Sequence, residues 1–439
     1  MNKLYFLWLS IIEPLSDNLM VWMVLFPMFI IIELPLSLLV ITGVIRWAFT
    51  QRQAQTQSSY YPNISVIVTC YSEGHAIRST IDTLIEQVYP ANIEILLVVD
   101  GASQNIETYQ AAKIGAKTYQ NHPLRQVKVI PKWQRGGRVS TLNAGLHDAK
   151  YELVINVDGD TSFDNNMAYH IANQFNQPHT LACGGGLRVR NWKDNLLTRM
   201  QAVEYMLSMQ TGKTGMGNWG VLNNISGAFG AFRKETLKKI GGWDTHTAED
   251  LDLTMRFKQY KTRYPNIKLA FTPLAIGHTD VPNTLKGLID QRLRWDGDLL
   301  FLFLRKHKKG LTPKLLGWGN FIFTLTYGIL QNILLPLMVA LYTAYMLYAY
   351  PLDFVVAILG FIFSTYFVIV LFFFGLYLCA ISERPKQDIQ FTIWLPLYPA
   401  YQFVMRFITA FATLNELFRR SHEESSMAPW WVLKKGKRF

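Results

Sequence analysis

Apolar residues crowd into the two ends of this chain, over residues 4–49 and 315–414, while the stretch between reads like a soluble α/β protein. That unevenness constrains the fold more than any local motif. Crossing a hydrocarbon layer of ~30 Å takes about 20 consecutive apolar residues, and a helix is one of two structures that satisfy the backbone there. The block Leu19–Phe49 is long enough to span. Glu33 and Pro35 interrupt it, so a kink or local unwinding is expected at that point. The shorter run Leu4–Ile12 suits an interfacial position. No small-residue cleavage site stands out, so the block reads as a retained anchor rather than a signal peptide. Two further spans are expected at Phe321–Tyr348 and Phe354–Ile381, followed by a polar turn, Ser382–Gln390. The block Phe391–Leu414 is broken by Pro396 and Pro399 and carries Arg406, which favours an interfacial or re-entrant segment over a full crossing.

The net charge of +12 is placed to match. Arg305, Lys306, Lys308, Lys309 and Lys314 precede one apolar segment, and Arg419 and Arg420 follow another. Basic residues beside membrane segments mark the cytoplasmic side. Trp430-Trp431 suits an interface, and Lys434, Lys435, Lys437 and Arg438 favour a cytoplasmic tail. No nucleic-acid motif accompanies the charge, so lipid contact and topology account for it. The three scattered cysteines offer neither a disulfide framework nor a metal spacing.

Residues 50–62 are polar and rich in Gln and Ser, a linker. Short apolar runs then recur at Ile64–Val68, Ile93–Val99, Val127–Ile130 and Leu153–Val157, with helical stretches such as Ala76–Gln87 between several of them. Strands alternating with helices imply an α/β domain with a largely parallel sheet and helices on both faces. Such sheets bind nucleotides at the carboxyl ends of their strands.

Carboxylates stand at two of those ends. Asp100 closes the second strand, and Asp158-Gly159-Asp160 closes the fourth. Two carboxylates one Gly apart can share Mg²⁺ or Mn²⁺, with a nucleotide diphosphate completing the shell. Taken alone, an Asp- and Gly-rich turn is usually only a turn. Ala248-Glu249-Asp250 offers a carboxylate able to take a proton from a hydroxyl, although acidic residues also favour any helix start. Gln291-Arg292-Leu293-Arg294-Trp295 combines Arg, which grips a diphosphate bidentately, with a Trp face for a sugar ring. An amphipathic interfacial helix explains it equally well. Gly136-Gly137-Arg138 permits close backbone approach and sets a guanidinium beside a helix start.

The order of these elements, between membrane segments, carries more than any one of them. The chain resembles the processive family-2 glycosyltransferases, which include cellulose, hyaluronan, chitin and poly-N-acetylglucosamine synthases. The resemblance covers roughly residues 60–310 and implies a GT-A-like domain inserted between N- and C-terminal transmembrane helices. It implies that Asp100 contacts the uracil-ribose of a UDP-sugar, that Asp158 and Asp160 hold the diphosphate-bound metal, and that Asp250 is the base. It adds Glu73, Arg138, Glu249, Gln291, Arg294 and Trp295 to the donor- and acceptor-binding set. Thr247-Ala248-Glu249-Asp250 has one residue more than the family's Thr-Glu-Asp, Tyr71-Ser72-Glu73 replaces its usual Asn-Glu, and Gly137-Arg138 replaces Gly-Lys. Arg188-Val189-Arg190-Asn191, Ile225-Ser226-Gly227 and Trp394–Pro399 look closest to the poly-N-acetylglucosamine synthases.

The implied organisation is an N-terminal membrane anchor over 1–49, the linker 50–62, a cytoplasmic GT-A domain over 63–310, transmembrane and interfacial helices over 311–418, and a basic cytoplasmic tail over 419–439. The expected activity is inverting, processive transfer from a UDP-sugar, best UDP-N-acetylglucosamine, to a polysaccharide acceptor at the bacterial inner membrane. Small regulatory or export partner proteins are compatible with it. Single transfer to a lipid carrier would keep the carboxylates without calling for Gln291, Arg294 and Trp295. An inactive envelope scaffold or receptor would tolerate their loss.

Overall fold

The computed structural model describes residues 29–53, 60–244 and 247–424. The run Leu4–Ile12, the first part of the Leu19–Phe49 block and the tail bearing Trp430-Trp431 lie outside the described residues.

Eight strands form one sheet: β1 (Ile64–Cys70), β2 (Ile93–Asp100), β3 (Arg125–Lys132), β4 (Leu153–Asp158), β5 (Ser162–Phe163), β6 (Thr180–Val189), β7 (Phe229–Arg233) and β8 (Lys268–Thr279). Their order is β3-β2-β1-β4-β7-β6-β8-β5. The four strands legible as apolar runs lie together and pair in parallel, with Val66 opposite both Ile95 and Ile155. Every residue of β1 and β2 is buried. A strand covered on both faces has no solvent side to alternate toward, so it reads as a continuous apolar run. The other half of the sheet is mixed. β7 runs antiparallel to β4 and β6, β5 antiparallel to β8, and β6 parallel to β8. β6, with its run Gly184-Gly185-Gly186, carries little strand propensity and gave no signal.

Alternation across the sheet divides the core. Val66, Val68, Ile95 and Leu97 face Ile77, Ile81 and Leu84 of the Ile77–Ile85 helix. Ile67, Leu96, Val98 and Val154 face Leu142 and Leu146 of the Arg138–Asp148 helix. The second contact is close enough that a methyl group on Gly145 would strike Ile67. Truncating Ile67 to Ala would cost about 2–5 kcal/mol, because so tight a wall cannot collapse around the void.

Among the described residues, three helices are long and apolar enough to cross a membrane: Phe29–Thr50, Trp318–Ala349 and Leu352–Ile381. The first opens with a wide π-type turn over Phe29–Glu33, where the sequence has Glu33 and Pro35. Glu33 is 8% exposed and pairs with Arg406 at 2.8 Å, and Tyr366 donates to it as well. An acidic side chain at that depth persists only with such partners. The polar turn after the third span is real: Arg188 grips Asp388 there, at 2.7 Å. The last block begins as a tight 3₁₀ segment, Ile389–Leu397, and becomes the helix Tyr398–Arg419. Val404, Phe407, Phe411, Leu414 and Phe418 are exposed along one side of that helix, while Ala410, Ala412 and Glu416 are buried.

The N-terminal span rests directly on the sheet domain. A Cβ on Gly43 would come within 2.7 Å of the Gly215 Cα, so two backbones meet where no side chain fits. Next to this crossing the Trp219 indole donates to the Leu39 carbonyl at 3.1 Å, and Arg46 lies 4.9 Å over its ring. Some basic residues at the membrane entry serve the protein itself: Lys306 pairs with Asp244 and Asp252, and Arg305 with Glu416.

Candidate functional site

The turn after β4 is pinned from both sides. Gly159 donates its N–H to the Thr69 carbonyl at 3.0 Å, and Thr80 Oγ1 donates to the Gly159 carbonyl at 2.7 Å. Asp158 and Asp160 therefore project from a fixed strand end. Burial against the domain and, next, the neighbouring Asp158 carboxylate push Asp160 above the ordinary carboxylate range. Glu73 lies against this turn, and a Cβ on Gly159 would meet its Cδ at 3.0 Å. Burial, with smaller contributions from Asp160 and Asp158, pushes Glu73 up to about 7 against backbone N–H groups that favour its charged form. One carboxylate oxygen of Glu73 is buried with no hydrogen-bond partner among the described residues.

Arg138 begins its helix just after Gly137, whose φ of 82° places it in the left-handed region that glycine enters without strain. Its guanidinium joins three segments. It donates to Asp158, to Glu249 at 2.6 Å and to the Gly227 carbonyl at 2.6 Å. Asn156 also donates to that carbonyl. The Gly227 N–H in turn donates to Asp250 at 3.2 Å, and Asn224 Nδ2 donates to the same carboxylate oxygen at 2.7 Å. The loop Asn224–Gly227 thus locks the Asp158 turn to the start of the Glu249–Arg263 helix.

Gln291, Arg294 and Trp295 lie at helical spacing on the Leu285–Phe301 helix. Arg292, between them, pairs with Glu204 at 2.7 Å and lies 5.0 Å over the Trp295 ring. Arg294 makes no hydrogen bond or ion pair among the described residues.

A cavity of about 620 Å³ is lined by Arg138, Asp158, Asp160, Glu249, Asp250, Gln291, Arg294 and Trp295. It continues between the membrane helices to Tyr327, Gln331, Asn332 and Arg406. Tyr327 and Asn332 line this passage, whereas Trp318 is 70% exposed and Asn320 is buried outside its lining. Asp100 and Glu73 are not in its lining. The Asp100 carboxylate is taken up by Lys132 Nζ at 2.6 Å and by the N–H groups of Gly136 and Gly137 at 2.9 and 2.8 Å. In this conformation it holds the loop that carries Arg138.

Several lining residues had no motif to announce them. Lys213, Lys258, Glu204 and Asn224 all face the cavity. Lys258 could have been found, because it stands eight positions after Asp250 and so on nearly the same helix face. Lys213 is a lone cation in the stretch Tyr205–Gly217, and that is its only mark.

Residues 62–297 match the family described as glycosyltransferase like family 2. The chain belongs to this family. The poly-β-1,6-N-acetyl-D-glucosamine synthase of Staphylococcus epidermidis is 31% identical over 233 residues, 53% of this chain and 53% of that protein. The synthase of the same name from Staphylococcus aureus strain COL is 29% identical over 269 residues, 59% of this chain and 62% of that protein. The chain thus spans between half and two thirds of the length of the curated relatives it matches. Among solved structures, the mannosyltransferase PcManGT from Pyrobaculum calidifontis, in complex with GDP-Man and Mn²⁺, aligns with a TM-score of 0.49 at 18% identity, over 84% of this chain and 99% of that one. The domain is a GT-A-like α/β domain flanked by apolar helices, as a member of this family would have.

Proposed function

We propose that this chain transfers a sugar, best N-acetylglucosamine from its UDP donor, processively and with inversion onto a growing β-linked polysaccharide, at the cytoplasmic face of a bacterial inner membrane. The observation that carries the reading is the shared cavity. The acidic turn, Asp250 and the Gln291–Trp295 face open on it, and its far end lies between the spans. The names of the relatives support the choice of sugar.

Asp250 accepts the proton of the acceptor hydroxyl while that oxygen bonds to the anomeric carbon. The bond from the anomeric carbon to the diphosphate breaks on the opposite side, and UDP departs with the electron pair. Gly227 and Asn224 fix the carboxylate that does this. Arg294, whose guanidinium has no partner among the described residues, grips the diphosphate, and the Trp295 ring packs on the acceptor sugar. Gln291 lines the same wall.

Asp158 and Asp160 would hold Mg²⁺ or Mn²⁺ together with donor oxygens. The donor set fits: both are hard oxygen ligands, and the Glu73 oxygen without a partner among the described residues and the raised Glu73 and Asp160 mark an excess of negative charge that Arg138 on Asp158 and Arg190 near Asp160 answer only in part. Two carboxylates would leave positions of the shell to donor oxygens. The ion supplies positive charge against the leaving diphosphate.

The test is a donor screen on purified protein in lipid, with several UDP-sugars and either ion, reading UDP release and product length. UDP-N-acetylglucosamine should give strong release and long chains. No release with any UDP-sugar overturns the reading, and a product of one added sugar replaces processive synthesis with transfer to a lipid carrier.

A further inference from the structure

Lys213 is 4% exposed and lines the cavity, yet among the described residues its ammonium makes no hydrogen bond or ion pair. Burying an ammonium without a partner is costly, so its position needs a cause. Two features supply one. The helix Lys213–Asn218 is wedged against the N-terminal span at the Gly43–Gly215 crossing and by Trp219, which leaves Lys213 little freedom to swing out to water. Across the cavity stands Asp250, whose charge is the favourable influence on it. We propose that Lys213 is a positioning residue of the transfer centre: held in place by the N-terminal span, its ammonium faces Asp250 across the acceptor's place and fixes that carboxylate by attraction.

The proposal rests on the transfer reading of the cavity, in which Asp250 takes the acceptor proton. Burial pushes Lys213 down to about 8, with Asp250 opposing. The other charged groups facing the same space are Lys258 and Glu249 from the Glu249–Arg263 helix, Arg292, Arg294, Asp296 and Asp298 from the Leu285–Phe301 helix, Glu204 from the segment preceding Lys213, Arg138, Asp158, Asp160 and Asp280 from the sheet's strand ends and loops, and Arg406 from the Tyr398–Arg419 helix. Above pH 8 the ammonium becomes an amine and its hold on Asp250 lapses.

Two measurements on the full chain in lipid nanodiscs test this. In the first, kcat and donor KM are followed from pH 6 to pH 10. Wild-type kcat should fall above pH 8 and level off about tenfold lower, at the Lys213→Gln rate, as loss of one charge requires, with donor KM steady. Lys213→Arg should keep the neutral-pH rate and abolish that fall, Lys213→Gln should lower kcat about tenfold at neutral pH and show no alkaline fall, and Lys258→Gln should leave the fall in place. In the second, Lys213 is acylated with acetic anhydride across the same range and quantified by mass spectrometry, which needs no turnover. The labelling midpoint should lie near 8 and move lower in Asp250→Asn, where the attracting charge is gone. An alkaline fall that survives in Lys213→Arg, or a midpoint indifferent to Asp250→Asn, overturns the proposal. If labelling behaves as stated but no donor releases UDP, it is the transfer reading that fails.

Discussion

Arg138 and Glu249, 111 positions apart in the chain, meet at 2.6 Å in a largely buried ion pair, and the same guanidinium also reaches Asp158. The acidic turn and the helix that carries Asp250 are therefore one mechanical unit. Removing one member of such a pair leaves a buried charge alone, at a cost of about 3–5 kcal/mol. Arg138→Ala should lower the thermal midpoint and abolish UDP release. Arg138→Lys should fold but lose most activity, since an ammonium cannot span Asp158, Glu249 and Gly227 together. Differential scanning fluorimetry beside a UDP-release assay checks both.

Asp250→Asn keeps the shape of the side chain and removes the proton acceptor. It should cut kcat about 10²–10⁴-fold while UDP affinity, measured by calorimetry, stays within a factor of about two, because Asp158, Asp160 and Arg294 are untouched. Full polymer formation in this variant would remove Asp250 from the mechanism.

Asp252, one turn into the same helix, sets the acid limit of the fold. Burial alone would raise it, but the His307 imidazole at 2.8 Å, Arg256 and Lys306 prevail and hold it at about 2. A carboxylate depressed in the folded state stabilises above its unfolded value and loses that contribution as pH falls through the folded one. About 2 kcal/mol should vanish between pH 4 and pH 2. Asp252→Asn should flatten this acid step in a pH-unfolding series and lower stability at pH 7.

At the Gly43–Gly215 crossing, Gly43→Leu should destabilise by about 1–3 kcal/mol through overpacking. It should also reduce kcat more than donor KM, since the displaced helix carries Lys213. Thermal unfolding in detergent and steady-state kinetics separate the two effects.

What the sequence disclosed depended on burial. β1, β2 and β4 are covered on both faces and could be read as apolar runs, whereas β6 and β7 are interrupted by Gly, at Gly184–Gly186 and Gly230, and could not. The spans were legible by length. The turn carrying Asp158 and Asp160 stood at a strand end as expected, but the occupation of Asp100 by Lys132 and two N–H groups depends on the path of the β3–Arg138 loop, which no local pattern encodes. The extra Ala in Thr247–Asp250 proved to be a backbone feature: Ala248 has φ 51°, ψ 35°, a left-handed residue that turns the chain into the helix so that Asp250 reaches Gly227. An alanine there costs roughly 1–2 kcal/mol, so the strain is not free of consequence for a residue two positions from the chemistry.

The helix Tyr398–Arg419 has one side of Val404, Phe407, Phe411, Leu414 and Phe418 open to the surroundings. From its other side Tyr401 donates to Glu204 and Thr409 to Asp296, both on walls of the cavity. An exposed apolar side of this kind suits an interfacial position, and the two hydroxyls couple it to the cavity walls, alongside the N-terminal span's own contact at Gly43–Gly215. Pressure of surrounding lipid on that stripe would thereby reach the cavity walls through a second anchor.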